Sequence, residues 1–358
     1  MTVKVPVKSA STFVKLNADQ HVPMRVMYTS DMLANLSAGV LSKELSAVDR
    51  AGLVMDSYAL VKSGDLDPTE LIKLLFCFRE EDDVVVWDAV SGALGGLAQA
   101  LLENDDISLN LEAFATKVIS GPAAKIGWSG SPSDDDNTKL LRGNLIGLLA
   151  KFCYKNDAVR KEAESRFAAF QDDASDMTAL PSDMRVSVFK ILLKNGGLKE
   201  YNDVLAYFDS ATDNAEKKHV LQSLGVIKDE KLKMRTLEWT TSGAVKLQDC
   251  FYALGSVHYS GSIGAEMSWQ YYKDNFQRLT NMLGNASASL MSACIGFSCG
   301  GFCKAAKADD IESFFNANPV KGSERKIAQI IEGIKGNAIF VERLENSQLK
   351  EKAFWDQF

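Results

Sequence analysis

From Ser30 onward the apolar positions recur every three to four residues almost without interruption, which is the period of helices with one buried face. Start signals are legible. Asp67-Pro68-Thr69-Glu70 supplies a capping acceptor, a proline at the first helical position and a carboxylate three residues after the cap. The apolar set Leu71, Leu74, Leu75 and Phe78 follows. Ser182 is expected to cap a helix over 183–194, carrying Val186, Phe189, Ile191, Leu192 and Leu193 and ending at a left-handed stop on Gly196 and Gly197. The same pattern predicts helices over 31–45, 48–62, 84–102, 111–119, 139–154, 158–170, 198–209, 214–224, 230–239, 247–257, 265–282, 287–297, 309–317, 324–335 and 338–358. Connectors are short, so consecutive helices are expected to form antiparallel hairpins. So many similar helices exceed what one bundle can bury, and stacking them in pairs is the economical solution. The predicted fold class is therefore all-α, an α-solenoid of the armadillo or HEAT type: a superhelix of antiparallel helix pairs without a fixed-period sequence motif. The polar run Ser129 to Asn137 reads as an exposed acidic loop without a domain boundary.

The first 28 residues follow a different rule. Val3, Val5 and Val7 alternate with polar or proline positions, and Thr12–Leu16 and Met24–Tyr28 continue the period of two that marks strands. Two or three strands are not independently stable, so this short N-terminal β segment needs a neighbouring sheet or the helical body to lie on. The chain is thus divided into a strand segment, 1–28, and a helical domain, 29–358.

Charge and composition narrow the function. With 40 Lys and Arg against 47 Asp and Glu the formal charge is −7, which disfavours nucleic acid as a partner. The 25 Gly and 7 Pro among 358 residues fall below average usage and suit long uninterrupted helices. Six cysteines without framework spacing suggest free thiols in a reducing compartment, and Lys4 and Lys8 interrupt any leader-like apolar run, so a cytoplasmic location is expected. Leu279–Cys303 is uncharged, but its many Ser, Asn and Gly residues make it too polar to cross a membrane; it reads as a small-residue helix that neighbours approach closely.

Little catalytic chemistry is legible. His21, His219 and His258 are far apart in sequence, and neither His-Glu-x-x-His nor paired Cys-x-x-Cys occurs, so no zinc site of the chain's own is expected. Cys299 and Cys303 lie one turn apart but lack further ligands, and Cys250 and His258 are too far apart to act as a nucleophile and base. Gly92-Ala-Leu-Gly-Gly96 falls inside a helical pattern and is expected to serve close packing rather than phosphate binding. Trp269, Tyr272 and Phe276 form a core stripe; Tyr271 points off it and is the one aromatic of that helix open to a ligand-stacking role.

An ordered series of short blocks carries a resemblance. It comprises Val14-Lys-Leu-Asn17, Gln20, Arg25-Val-Met-Tyr28, Asp49-Arg-Ala-Gly-Leu53 with Asp56, Ala59-Leu60 and Gly64, Trp87, Leu180-Pro-Ser-Asp-Met-Arg185, Lys246-Leu-Gln-Asp249, Trp269 with Lys273-Asp-Asn275, and Ser323-Glu-Arg325. In this order and spacing, over about residues 12–350, the chain resembles the C-terminal helical domain of the zinc aminopeptidases (gluzincins) of the puromycin-sensitive type. The resemblance implies that zinc and the catalytic residues belong to an upstream domain of the full-length enzyme and that a β-sandwich precedes the helical domain. Residues before Tyr28 would then be the end of that sandwich. The helical bowl would enclose a chamber for peptide substrates, without chemistry in this chain. Peptide, the catalytic domain and the β-sandwich are the partners implied, with neither nucleic acid nor a membrane among them.

The resemblance also points to residues. Where many relatives have Phe-Tyr-Arg this chain has Pro23-Met24-Arg25, so only Arg25 carries over as a chamber residue. Some relatives grip the peptide carboxylate with a basic residue, and the turn from Gly225 to Lys228 is where such a grip is expected; a solvated lysine after a glycine helix stop is the alternative. A free-standing helical scaffold that binds a protein partner on its concave face is the rival to the peptidase-domain reading.

Overall fold

The computed structural model describes residues 12–358 except 174, 175, 177, 285 and 286. Among them no strand occurs, and helices account for nearly all regular structure. Their order is α1 (Ser30–Leu41), α2 (Ala47–Ser63), α3 (Pro68–Phe76), α4 (Val84–Ala100), α5 (Asp105–Ile126), α6 (Asp136–Phe152), α7 (Asp157–Asp172), α8 (Ser182–Asn195) and α9 (Leu198–Ser210). These are followed by α10 (Asn214–Leu221), α11 (Glu230–Thr240), α12 (Cys250–His258), α13 (Ser262–Asp274), α14 (Phe276–Leu279), α15 (Ala288–Cys299), α16 (Ala305–Ala317), α17 (Glu324–Glu345) and α18 (Lys352–Trp355). The chain divides into two compact units, one of residues 1–98, 109–148 and 342–358, the other of 99–108 and 149–341.

In the first unit the core is built by α3, whose Leu71, Leu74 and Leu75 are fully buried together with Trp87 of α4. Asp67 caps α3 as its sequence predicts, its carboxylate accepting from the Thr69 N–H at 2.8 Å. The C-terminal residues close this core: Phe114 packs edge-on against Trp355 at 5.8 Å and Phe358 at 5.1 Å. Arg50 and Glu81 form a buried two-pronged pair at 2.7 and 2.9 Å. A Cβ on Gly96 would fall 1.9 Å from the Tyr58 hydroxyl, so the GALGG run is indeed a packing feature, at that glycine.

Strands expected over 12–16 and 24–28 are absent; the chain there is irregular apart from a 3-10 turn, Ala18–Gln20, because no strand lies beside it to pair with. The expected strand over 3–7 lies outside the described residues. Side chains of α2 hold the segment instead. Lys15 reaches Asp49 at 3.1 Å, Asp49 also accepts the Asp19 N–H at 2.9 Å, and Arg25 meets Asp56 at 3.0 Å. Gly52 lets Gln20 lie directly on the helix, since a Cβ there would stand 2.0 Å from Gln20 Nε2. The Asp49-Arg-Ala-Gly-Leu53 block with Asp56 is therefore a clamp for the incoming chain.

In the second unit, helices pack on the next and on the next but one: α7 on α8, α8 on α10, α10 on α12, α11 on α13 and α13 on α15. Trp269, Tyr272, Phe314 and Phe315 form an aromatic cluster; Phe276, expected in the same stripe, is half-buried at its edge. α15 accepts close neighbours, as expected of a small-residue helix: Gly255 of α12 leaves room for the Phe297 ring, 2.4 Å from where a Cβ would sit.

Several boundaries differ from expectation: Ser182 is itself the first helical residue and its hydroxyl donates to Glu216 rather than capping, and the helix expected over 111–119 runs Asp105–Ile126. Gly196 and Gly197 are extended rather than left-handed, with φ of −98° and −136°. Glu200 reaches back to the Gly197 N–H at 2.7 Å, and its side chain fills the space a Cβ on Gly196 would need. α17 runs unbroken through Gly336, because one face buries Ile330, Ile334, Phe340 and Leu344. The helix predicted over 265–282 breaks at Asn275, where φ is −110° and ψ 15°, and a π turn spans Thr280–Gly284.

Candidate functional site

Gly225 sits in a buried 3-10 turn, Leu224–Val226, pressed against α12. A Cβ there would lie 2.2 Å from the Val257 nitrogen and 2.4 Å from the Ser256 carbonyl carbon, so only glycine fits. Its N–H donates to Ser256 Oγ at 3.0 Å and its carbonyl accepts from Lys233 Nζ at 2.8 Å. Lys233 is itself buried and also donates to Ser260 Oγ at 2.5 Å; burial pushes its pKa down to about 8. Gly225 therefore fixes the turn and offers no surface of its own.

Lys228, three residues on, is exposed and stands 6.0 Å from the centre of the Tyr154 ring. Tyr154 follows the C-terminus of α6 and collects two further lysines, Lys194 of α8 at 4.3 Å and Lys155 at 5.4 Å. Lys194 Nζ also donates to the Ala150 carbonyl at 2.9 Å, capping the negative end of α6. Lys151 and Lys190 extend the basic surface. Burial lowers the pKa of both, and for Lys151 the Lys190 charge adds to the effect. Sequence reasoning found Lys228 and missed the other four. A partial signal was present in one i, i+4 lysine pair within α8, 190 with 194, an arrangement that costs a helix stability unless something else favours it.

Arg25, in the first unit, is not a free side chain. Its guanidinium is committed to Asp56, whose other oxygen accepts the Val26 N–H at 3.3 Å, so its observed role is to fasten the N-terminal segment to α2.

The donor chemistry does not fit zinc. Among the described residues no group of three or more His, Cys, Asp or Glu side chains is placed to hold a metal. His21 contacts the Ala18 carbonyl, His219 lies 3.3 Å from Glu216, and His258 is buried with Nε2 donating to the Gly300 carbonyl at 2.5 Å. Burial pushes the His258 pKa down to about 4, keeping it neutral. Cys294 and Cys299 are fully buried and burial raises both thiols, so they act as small apolar side chains. No helix is long and apolar enough to cross a membrane among the described residues.

The described residues thus form helices, with a cluster of lysines around Tyr154 in the second unit. Residues 13–336 match the family of the ERAP1-like C-terminal domain, and the chain belongs to that family. It is 29% identical over 349 residues to Aminopeptidase 2, mitochondrial, of Saccharomyces cerevisiae, covering 96% of this chain and 36% of that protein. It is 25% identical to Aminopeptidase M1 of Arabidopsis thaliana and to Aminopeptidase M1-B of Oryza sativa subsp. japonica, covering in each case 95% of this chain and 38% of the relative. The chain thus spans little more than a third of the length of these curated relatives.

Proposed function

We propose that this chain is the non-catalytic C-terminal domain of a zinc aminopeptidase, forming the wall of a chamber that encloses and positions peptides while an upstream catalytic domain removes their N-terminal residues. Family membership over residues 13–336 is the observation that carries the proposal. In this account the helix pairs stack into a HEAT-like superhelix, residues 1–28 are the junction to a preceding β-sandwich, and 29–358 form the bowl. Zinc belongs to the catalytic domain, where it supplies Lewis-acid activation of water and the peptide carbonyl. The cytoplasm is the proposed location.

The lysines around Tyr154 supply a grip for the peptide's C-terminal carboxylate. Lys228, Lys194 and Lys155 converge on one ring, and a carboxylate there would relieve the mutual repulsion of like charges. Gly225 contributes by holding the turn that carries Lys228. A peptide bearing a photoreactive residue next to its free C-terminus tests this. Cross-links should fall on or beside Tyr154 and Lys228, and should be lost when the peptide ends in an amide; cross-links that ignore this change contradict the grip.

A further inference from the structure

A second feature of this unit has no part in that grip. A cavity of about 490 Å³ opens between α11, α13 and α14. α11 lines it with Met234 and Glu238, α13 with Met267, Tyr271 and Asp274 at i, i+4 and i+7, and Arg278 of α14 closes one end. The cavity lies beside the helix break at Asn275, where the sequence has neither Pro nor Gly. Arg278 folds back over that break. Its Nη1 donates to the Thr241 carbonyl at 2.7 Å, and its Nη2 to the Tyr271 hydroxyl at 2.7 Å and to Thr241 Oγ1 at 3.0 Å, while Nε reaches Asn275 Oδ1 at 3.3 Å. These bonds to neutral groups hold the guanidinium in place, while Arg278 itself stays exposed.

Two carboxylates, Glu238 and Asp274, line the opening against the single positive charge of Arg278. Both are exposed; Asp274 accepts from Gln270 Nε2 at 2.7 Å, and neither carboxylate has a cationic partner within 4 Å among the described residues. An anion would meet two carboxylates here, and a purely apolar ligand would strip their hydration with nothing in return. An alkyl stem with a cationic tip meets neither objection, since the Met234 and Met267 thioethers adapt to the stem and the carboxylates receive the charge. We infer that this cavity is a recognition site for a basic side chain, Lys or Arg, of an extended peptide, with its stem between Met234 and Met267 and its cationic group at Glu238 and Asp274. The inference uses the chamber account only for the source of the peptide.

Fluorescence anisotropy on the full chain tests it, using a labelled peptide with one Lys among Ala residues, N-acetylated and C-amidated so that the carboxylate grip plays no part. The Lys peptide should bind about fivefold or more tightly than the same peptide with acetyl-lysine. Replacing Glu238→Gln and Asp274→Asn together should abolish that preference without shifting the thermal midpoint. With methionine methyls labelled for NMR, the Lys peptide should move the Met234 and Met267 signals and leave buried Met291 in place. Equal affinity for the two peptides, no binding of either, a Lys preference that survives the double substitution, or unmoved Met234 and Met267 signals would each overturn the assignment. A failed cross-link at Tyr154 with an intact Lys preference would instead count against the carboxylate grip alone.

Discussion

Gly225 and the Val257 backbone nitrogen approach so closely that a Cβ on the glycine would stand 2.2 Å away. Both groups are main chain or rigidly held, so neither can yield without moving α12. Gly225→Ala should destabilise the protein by about 2 kcal/mol or more in urea unfolding. Gly92→Ala is the control, since nothing lies within 4 Å of its missing Cβ; removing a helical glycine there should raise stability by about 0.5–1 kcal/mol.

The N-terminal clamp predicts an asymmetry. Asp56 is buried and receives both Arg25 and the Val26 N–H, whereas Arg25 is more than half exposed, at 56% against 4%. Asp56→Ala should cost about 1–3 kcal/mol and speed hydrogen exchange over 19–28, while Arg25→Ala should cost under about 1 kcal/mol. Equal losses would contradict the assignment of Asp56 as the anchor.

His258 makes stability depend on acid. Its folded pKa of about 4 lies below the ordinary 6.5, so between those values the unfolded chain binds a proton that the folded chain refuses. This contribution to stability is complete above pH 6.5 and is lost as pH falls through that window, at up to about 1.4 kcal/mol per pH unit. His258→Gln keeps a donor for Gly300 and should flatten the slope; urea midpoints measured from pH 7 to pH 4 in both proteins check it.

Helices were legible where the cause is local. Asp67-Pro68 specifies a cap within four residues, and α3 begins there with its apolar set buried as expected. Two of the failures have a non-local cause, whereas the extended Gly196 and Gly197 are set locally by Glu200. Nothing near Asn275 announces a break, which is held by Arg278 bonding to Thr241, 37 residues earlier. Gly336 looks like a stop, yet packing of Ile334 and Phe340 carries α17 through it. At the candidate site, Lys228 was singled out from a resemblance, whereas its companions needed the fold, because Tyr154 and Lys194 meet only when α6 and α8 pack.

Glu81 anchors part of the first unit. Its carboxylate takes both prongs of buried Arg50 and the Asp82 and Asp83 N–H groups, and its carbonyl accepts Trp87 Nε1 at 3.0 Å. Glu81→Ala strands a buried guanidinium and should cost about 3–5 kcal/mol, measured by chemical unfolding.

The central claim is that chemistry resides outside this chain. Its most direct test is hydrolysis of an aminoacyl fluorogenic reporter by the purified chain with added zinc, alone and together with the complementary N-terminal portion of yeast Aminopeptidase 2. The account predicts no chelator-sensitive hydrolysis by the chain alone, and more hydrolysis from the pair than from the yeast portion by itself. Chelator-sensitive turnover by the chain alone would contradict it.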